Sequence, residues 1–393
     1  MALASDTPLV TTESVTVARL DPVGASNPPH RTALRTTLRL IPAWYDWIMA
    51  IARVTQKEIE AAVEALRAGE LVAFPTETVY GLGANANNPE AVRKIFALKG
   101  RPSSHPVIVH IDDPKYLQRW VQDMPPAAQK LADAFWPGPL TLVLKRGPAV
   151  HDVITGGQDT IAVRIPNHPI ARQLLNAFGG GIAAPSANRY GHVSPTRTEH
   201  VREEFGDEVP IVLDGGDSKI GLESTIVSCV GPEPRLLRLG SITATQLRAV
   251  VSSLVVGADP AGPRVPGSAL RHYSPSTPLN IVPGRELAKV IQEFASTEAK
   301  VAVLGMKPPS IASPFMTWIN AGIRPDVYAR NLYSNLRTLD KSGARMILVE
   351  DVPEGERWDA VRDRLKRAAT AENVVTYDHD VAALRADMDE DFP

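Results

Sequence analysis

The sequence predicts an α/β protein: a large, mixed, twisted open sheet, followed by a smaller open-sheet domain. Three observations carry this. Short apolar runs alternate with amphipathic segments over residues 51–250, as strands alternating with helices do. Residues 251–278 then break the pattern with Gly257, Pro260, Gly262, Pro263, Pro266, Gly267, Pro275 and Pro278, a composition that defeats regular structure. A second, shorter alternation occupies residues 279–370 and contains neither GxGxxG nor GxxxxGK[ST], so it offers no nucleotide-binding loop of its own.

The elements follow in order. Residues 56–68 form an amphipathic helix with Ile59, Val63 and Leu66 on one face. Residues 71–74 are an apolar run bounded by Pro75, the mark of a buried strand. Thr76, Thr78 and Tyr80 then group three hydroxyls around Glu77, and Gly81 and Gly83 allow a tight turn or close approach to a ligand. Asn88-Pro89-Glu90 starts a helix whose Val92, Ile95 and Phe96 share a side, and Gly100 with Pro102 ends it. A strand at residues 107–111 closes this unit. Further helices are expected at 126–135 and 169–177, and strands at 140–144, 160–165, 182–184, 211–213, 224–230 and 235–239. In the second domain, strands are expected at 279–282, 300–304 and 345–349, and helices at 286–294, 327–340 and 358–369.

Of 393 residues, 44% are hydrophobic and 22% charged, ordinary for two or three globular domains. A net charge of −2 argues against a strongly basic nucleic-acid protein. The single cysteine, Cys229, precludes an intramolecular disulfide and fits a reducing, cytoplasmic compartment. The nine histidines show no HExxH or paired Cys/His spacing, so no dedicated metal site is expected. Residues 1–50 form an N-terminal extension rich in Ser, Thr, Pro and Arg and read as disordered. A mis-called start upstream of Met49 and a transit peptide are alternatives. Residues 40–52 are apolar but too short to span a bilayer. Residues 378–393 are an acidic tail expected to fray.

Several polar clusters carry chemistry. Lys99 and Arg101 follow a helix C-terminus. They are either ordinary dipole partners or a phosphate clamp of point charge and bidentate fork. Thr160 and Arg164 lie four apart on one strand face. Ser186 and Asn188 follow a strand end, Ser194 comes soon after, and Ser224 introduces another strand. Strand ends are where open α/β sheets bind ligands. Neither Ser186 nor Ser224 sits in GxSxG, so a nucleophilic serine is not expected. Hydroxyls and cations without an acid–base pair point to binding and electrostatic positioning, as phosphoryl or nucleotidyl transfer requires. The rival reading is a ribosome-associated or duplex-RNA-binding module, with Arg93, Lys94, Lys99 and Arg101 as its basic surface.

The segments PTETVYGLG, KIFALKGRP, HPVIVHI, FWPGPLTLVL, VRIPNHP, APSANRYGHVSPT and DGG…GLESTIV, in this order, resemble the YrdC family. RHYSP and the domain after it resemble the family's long, two-domain form, and the likeness covers about residues 54–370. The resemblance implies a twisted open sheet with a deep concave cavity. It also implies synthesis of threonylcarbamoyl-AMP and pyrophosphate from L-threonine, bicarbonate or CO2, and ATP, with Mg²⁺ as the expected cofactor. A downstream transferase would pass the group to tRNAs that read ANN codons, and weak RNA binding would be compatible with that. By the same resemblance, Thr78, His110, Arg164, Ala184 and Ser224 meet L-threonine, while Lys99 and Arg101 meet the triphosphate. Thr160, Ser186, Asn188, Ser194, Arg238 and Tyr273 meet the rest of ATP, as does His105 where the family usually carries Asn. Hydrogenase maturation proteins contain a similar module, but their zinc-finger and acylphosphatase-like segments are absent here. Finally, Arg271-His272-Tyr273 inside a Pro/Gly-rich stretch suggests that residues 251–278 act as linker and lid over an adenylate.

Overall fold

A computed structural model of the chain describes residues 53–369 apart from 258–261, 268–271 and 297. The expectations for the N-terminal extension, for Arg271 and for the acidic tail lie outside the described residues.

The first sheet contains β1 (Val72–Phe74), β2 (Gly81–Asn85), β3 (Ile108–His110), β4 (Leu140–Lys145), β5 (Thr160–Arg164), β6 (Ile182–Ala183), β7 (Ile211–Val212), β8 (Thr225–Ser228), β9 (Arg235–Arg238) and β10 (Val255–Val256). Their order is β10-β9-β8-β4-β5-β3-β6-β2-β1-β7. The sheet is mixed: β3 runs parallel to β5 and β4 to β8, while β4 and β5 are antiparallel. Its helices are α1 (Gln56–Arg67), α2 (Pro89–Lys99), α3 (Pro126–Phe135), α4 (Asp152–Thr155), α5 (Pro169–Phe178), α6 (Thr198–Phe205) and α7 (Ala244–Val250).

Local chemistry sets the element ends. Thr55 and Glu58 form a capping box at the start of α1, and each satisfies a backbone N–H that the helix cannot. Asn88 caps α2, and Gly100 ends it in the left-handed region at φ 64°, where a side chain would be strained. Ile59, Val63 and Leu66 of α1 pack with Phe74 of β1 and with Ile170 and Leu174 of α5.

The second sheet is wholly parallel, in the order β11 (Leu279–Val282), β14 (Met346–Glu350), β12 (Val301–Gly305), β13 (Met316–Asn320). Helices α8 (Gly284–Ser296), α9 (Pro325–Asp340) and α10 (Glu356–Ala369) accompany it. The two sheets share one apolar cluster, in which Val79, Val193 and Leu222 of the first domain join Leu332, Leu336 and Val349 of the second. Beside it, Arg337 of α9 donates to Glu204 of α6 at 2.7 Å and to the Val193 carbonyl. The second domain is therefore packed onto the first rather than tethered to it.

Besides the short helices α4 and α7, which the sequence did not suggest, four elements depart from expectation. Gly81 and Gly83 sit in β2, not in a turn. A Cβ on Gly83 would lie 2.8 Å from Ile182 Cγ2 and 2.9 Å from Phe74 Cε1, so the residue is small to let strand and core approach. Strand β10 forms within the Pro/Gly-rich segment by pairing with β9. Strand β13 was not expected because it is an edge strand with exposed Thr317 and Asn320. Helix α6 was not expected because Thr-Glu-His-Val-Arg-Glu-Glu-Phe is too polar to show a helical stripe.

Replacing Gly83 by Ala is expected to lower stability by about 1–3 kcal/mol, the usual cost of overpacking a core. An unchanged urea midpoint would show that this contact relaxes freely.

Candidate active site

The register of the first sheet builds the site. Parallel pairing sets His110 of β3 opposite Arg164 of β5 at the ends of both strands. Ala184 and Ser186 follow β6, Ser224 precedes β8, and Arg238 closes β9. With Thr78 and Arg101 these residues enclose a narrow cavity of about 50 Å³, covered by Pro266, Gly267, His272 and Tyr273. His105 does not reach this cavity. It lines an adjoining recess of about 100 Å³ with Arg101, Tyr190, Arg264 and His272.

Thr78, Arg101, His110, Arg164, Ala184, Ser186, Ser224, Arg238 and Tyr273 thus come together as the sequence suggested. Lys99, Thr160, Asn188 and Ser194 line neither space. Thr160 shares a strand face with Arg164 but lies four residues away, about 13 Å along the strand. Asn188 donates to the carbonyls of Arg189 and His192 at 2.7 and 3.0 Å. Ser194 Oγ donates to Glu223 Oε1 at 2.7 Å.

Lys99 lies beside the cavity wall rather than in it. Its ammonium donates to the Ser186 carbonyl at 2.6 Å and to the Asn188 carbonyl. Burial, with Arg101 nearby, pulls its pKa well below the ordinary lysine value. Lys99 therefore braces the turn that presents Ser186, and Arg101 alone of the expected pair faces the cavity. Arg101 Nη2 donates to Pro106 O at 2.8 Å, while its buried Nε has no partner. Burial lowers it to about 10, so it stays cationic at neutral pH.

At the opposite end, Arg164 is held by Glu77 Oε1 at 2.6 Å, Thr78 Oγ1 at 2.9 Å and Gly138 O at 3.2 Å. Two guanidinium N–H groups remain beyond these contacts. Burial, with Arg164 next, pushes His110 down to about 3. His110 is thus a neutral imidazole at working pH, and its buried Nδ1 has no partner. Glu77 and Glu223 were not among the expected site residues, yet each supplies the counter-charge to a buried arginine.

The cover is pinned to the first domain on both sides. Gln158 Oε1 accepts from Arg264 N at 2.7 Å while Gln158 Nε2 donates to Arg264 O at 3.2 Å. Ser274 N donates to Gly191 O at 2.9 Å. Arg238 Nη1 donates to Pro266 O at 2.8 Å. Tyr273 holds φ at 64°, a left-handed conformation that costs a bulky residue about 1–3 kcal/mol unless its surroundings enforce it. Gly267, at φ +81°, leaves room for the Tyr273 hydroxyl, which a Cβ there would meet at 2.4 Å.

The four cations of the RNA reading do not share one exposed surface. Arg93 pairs with Glu90, Lys94 with Glu70 at 2.7 Å, and Lys99 and Arg101 are buried. Among the described residues no group of three or more His, Cys, Asp or Glu could hold a metal ion. No helix there is long and apolar enough to cross a membrane.

Residues 64–240 match the Sua5/YciO/YrdC domain family, described as "Telomere recombination", and residues 242–370 match "Threonylcarbamoyl-AMP synthase, C-terminal domain". The threonylcarbamoyl-AMP synthase of Pyrococcus abyssi is 40% identical over 328 residues, spanning 81% of this chain and 95% of that protein. The chain belongs to the Sua5/YrdC family. A Sua5/YrdC relative from Bacillus subtilis, also named threonylcarbamoyl-AMP synthase, is 38% identical over 335 residues, 83% of this chain and 97% of its own length. The crystal structure of P. abyssi Sua5 complexed with L-threonine has the same fold, with a TM-score of 0.76 at 39% identity, covering 81% of this chain and 95% of that one.

Lys99→Met should lower the melting temperature, because it strands two buried carbonyl acceptors at about 1–3 kcal/mol each. A variant with wild-type stability and weakened ATP binding would instead restore the direct phosphate role.

Proposed function

We infer that this chain synthesises threonylcarbamoyl-AMP, with pyrophosphate, from L-threonine, bicarbonate or CO2, and ATP. The observation that carries this is one cavity with two chemically distinct ends. Arg164, Thr78 and neutral His110 suit an amino acid, and the partly unpartnered Arg101 suits a phosphate.

In this reaction the threonine amine adds to CO2, forms an N–C bond and gives up a proton. A carbamate oxygen then bonds to the α-phosphorus of ATP as the bridging P–O bond breaks, and pyrophosphate leaves with the electron pair. The remaining Arg164 N–H groups face the threonine carboxylate, and Arg101 offsets the charge of two anions brought together. His110 offers a neutral hydrogen-bonding nitrogen. Mg²⁺ would enter with its substrate as MgATP and screen the phosphates.

The carbamate survives only where water is excluded. Pro266, Gly267, His272 and Tyr273 overlie the cavity. In this reading these residues act as a lid that keeps water from the carbamate. The product is a mixed anhydride, so the next step is a transferase that delivers the threonylcarbamoyl group to tRNA. A cytoplasmic location is part of the same proposal.

Pyrophosphate release should require L-threonine and bicarbonate together with ATP, and equal release without threonine would mark a plain nucleotidase. In the same assay Arg101→Ala should lower kcat/KM for ATP about 10- to 100-fold, as expected for one charge-assisted contact.

For the lid, Tyr273→Ala should lose threonylcarbamoyl-AMP to hydrolysis faster than wild type. Hydrogen exchange at Tyr273 and Ser274 should slow when ATP and threonine are added together. Unchanged exchange with a fully active Tyr273→Ala would rule the lid out.

A further inference from the structure

Glu223 is buried in the first domain, next to cavity-lining Ser224. Donors from both domains converge on it. Ser194 Oγ donates to its Oε1 at 2.7 Å. From the second domain, Tyr333 Oη on α9 donates to Oε2 at 2.9 Å, and Arg364 Nε on α10 at 3.0 Å. The same two side chains also hold the cover. The Arg364 guanidinium lies 5.3 Å from the centroid of the Tyr273 ring, and Tyr333 stacks on that ring at 5.6 Å between centroids.

Arg364 is 1% exposed, the largest fully buried side chain among the described residues. An ion pair this deep is weak evidence for stability, because apolar residues often fill such a space as well. Its geometry is more informative, because besides Asp363 at 2.8 Å the partners of Arg364 belong to the cavity wall: a carboxylate and a strained aromatic residue. By contrast, Arg164, His110 and Thr78 are held entirely by the first domain.

We propose that Arg364 and Tyr333 are positioning residues of the active site: from the second domain they fix the Glu223 carboxylate and the Tyr273 ring in the arrangement that closes the cavity over the nucleotide. This rests on the adenylate-forming reading above. The second domain then governs nucleotide affinity and retention, and leaves threonine recognition to the first.

The groups facing Glu223 are Arg364 and Tyr333 from the second domain, Arg238 of β9, Ser194, and His272 and Tyr273 of the linker. Burial pushes the Glu223 carboxyl up, but Arg364 and then Arg238 overcome this and hold it at about 2. Wild-type Glu223 is therefore ionised throughout the working range. Without Arg364 its pKa rises, and the carboxyl takes up a proton as pH falls. A protonated carboxyl no longer accepts both second-domain and Ser194 donors as before, so nucleotide affinity should drop on the acid side only in the variant.

The test compares wild type with Arg364→Met, Arg364→Lys and Tyr333→Phe. Binding of a non-hydrolysable ATP analogue is measured by calorimetry across pH, alongside threonine-dependent pyrophosphate release. Arg364→Met should weaken analogue binding by about 10- to 100-fold, leave KM for threonine within about twofold of wild type, and gain an acid limb. Arg364→Lys should recover part of the loss, since charge returns without the fork. Tyr333→Phe should show a smaller loss in the same direction.

Wild-type analogue affinity and a flat pH profile in folded Arg364→Met would overturn the proposal. If that variant does not fold, Tyr333→Phe decides, and wild-type binding there overturns it equally. A parallel loss of threonine and analogue binding would also overturn it, as the mark of a merely structural role. Failure of wild type to couple pyrophosphate release to threonine would overturn the synthase reading alone, because the analogue-binding arm still decides the positioning role.

Discussion

A guanidinium removed from water is costly unless it is paired and hydrogen-bonded, and Arg164 organises the first domain around that requirement. It is 3% exposed. Glu77, Thr78 and Gly138, from three separate stretches of chain, all turn toward it. Thr78 in turn hydrogen-bonds Thr76 at 2.8 Å, and Thr76 Oγ1 donates to Val79 O at 2.6 Å, which sets the path of the segment between β1 and β2. The parallel register of β3 and β5 then places His110 beside the pair. Because Arg164 is fixed before any ligand arrives, little ordering remains to be done on binding, which is the condition for electrostatic catalysis.

Charge balance extends this logic across the cavity. Arg101, Arg164 and Arg238 all line it, against Glu223 as the lining acid. Glu77 neutralises Arg164 from behind, and Glu223 is shared with Arg364. The walls are therefore cationic in excess, and burial makes the uncompensated charge costly until an anion enters. A polyphosphate relieves that cost, whereas a neutral ligand does not. Burial chiefly pushes His110 and His272 both down to about 3, and the neighbouring arginines add to it. Further cations in this space would add repulsion without a partner.

What could be read from the sequence divides along sequence separation. Helices α2 and α3 were legible because their punctuation is local: Asn88 and Gly100 for one, Pro125-Pro126 and Trp136-Pro137 for the other. The strand ends that carry Arg164, Ser186 and Ser224 were legible because an apolar run followed by polar residues needs only a few neighbours to recognise. The backbone contacts of Lys99 were not legible because its acceptors lie 87 and 89 residues away, and a lysine beside an arginine looks alike whether it meets phosphate or backbone. Strand β2 was missed because Gly-Leu-Gly-Ala-Asn has little strand propensity of its own, and its register with β1 is permitted by the absence of side chains at Gly81 and Gly83. Glu223 stood inside the GLESTIV segment, but its role was not legible, since its three partners are 29, 110 and 141 residues distant.

The backbone of Tyr273 explains why a second domain accompanies the first. A tyrosine at φ 64° does not hold that conformation on its own. In this chain it is stacked on Tyr333, set edge-on to His272 at 4.1 Å and flanked by Arg364. A cover built from the linker alone would relax out of the strained conformation and leave the cavity open. Packing the ring between α9 and α10 transfers the strain to a folded sheet, which can sustain it through a continuous core. Opening the cover then means breaking the ring contacts while Val79, Val193 and Leu222 keep the domains docked. Under the proposed lid role, the barrier to opening is set by a few aromatic and charged contacts rather than by separation of whole domains, and a cover over a reactive adenylate needs that separation of scales.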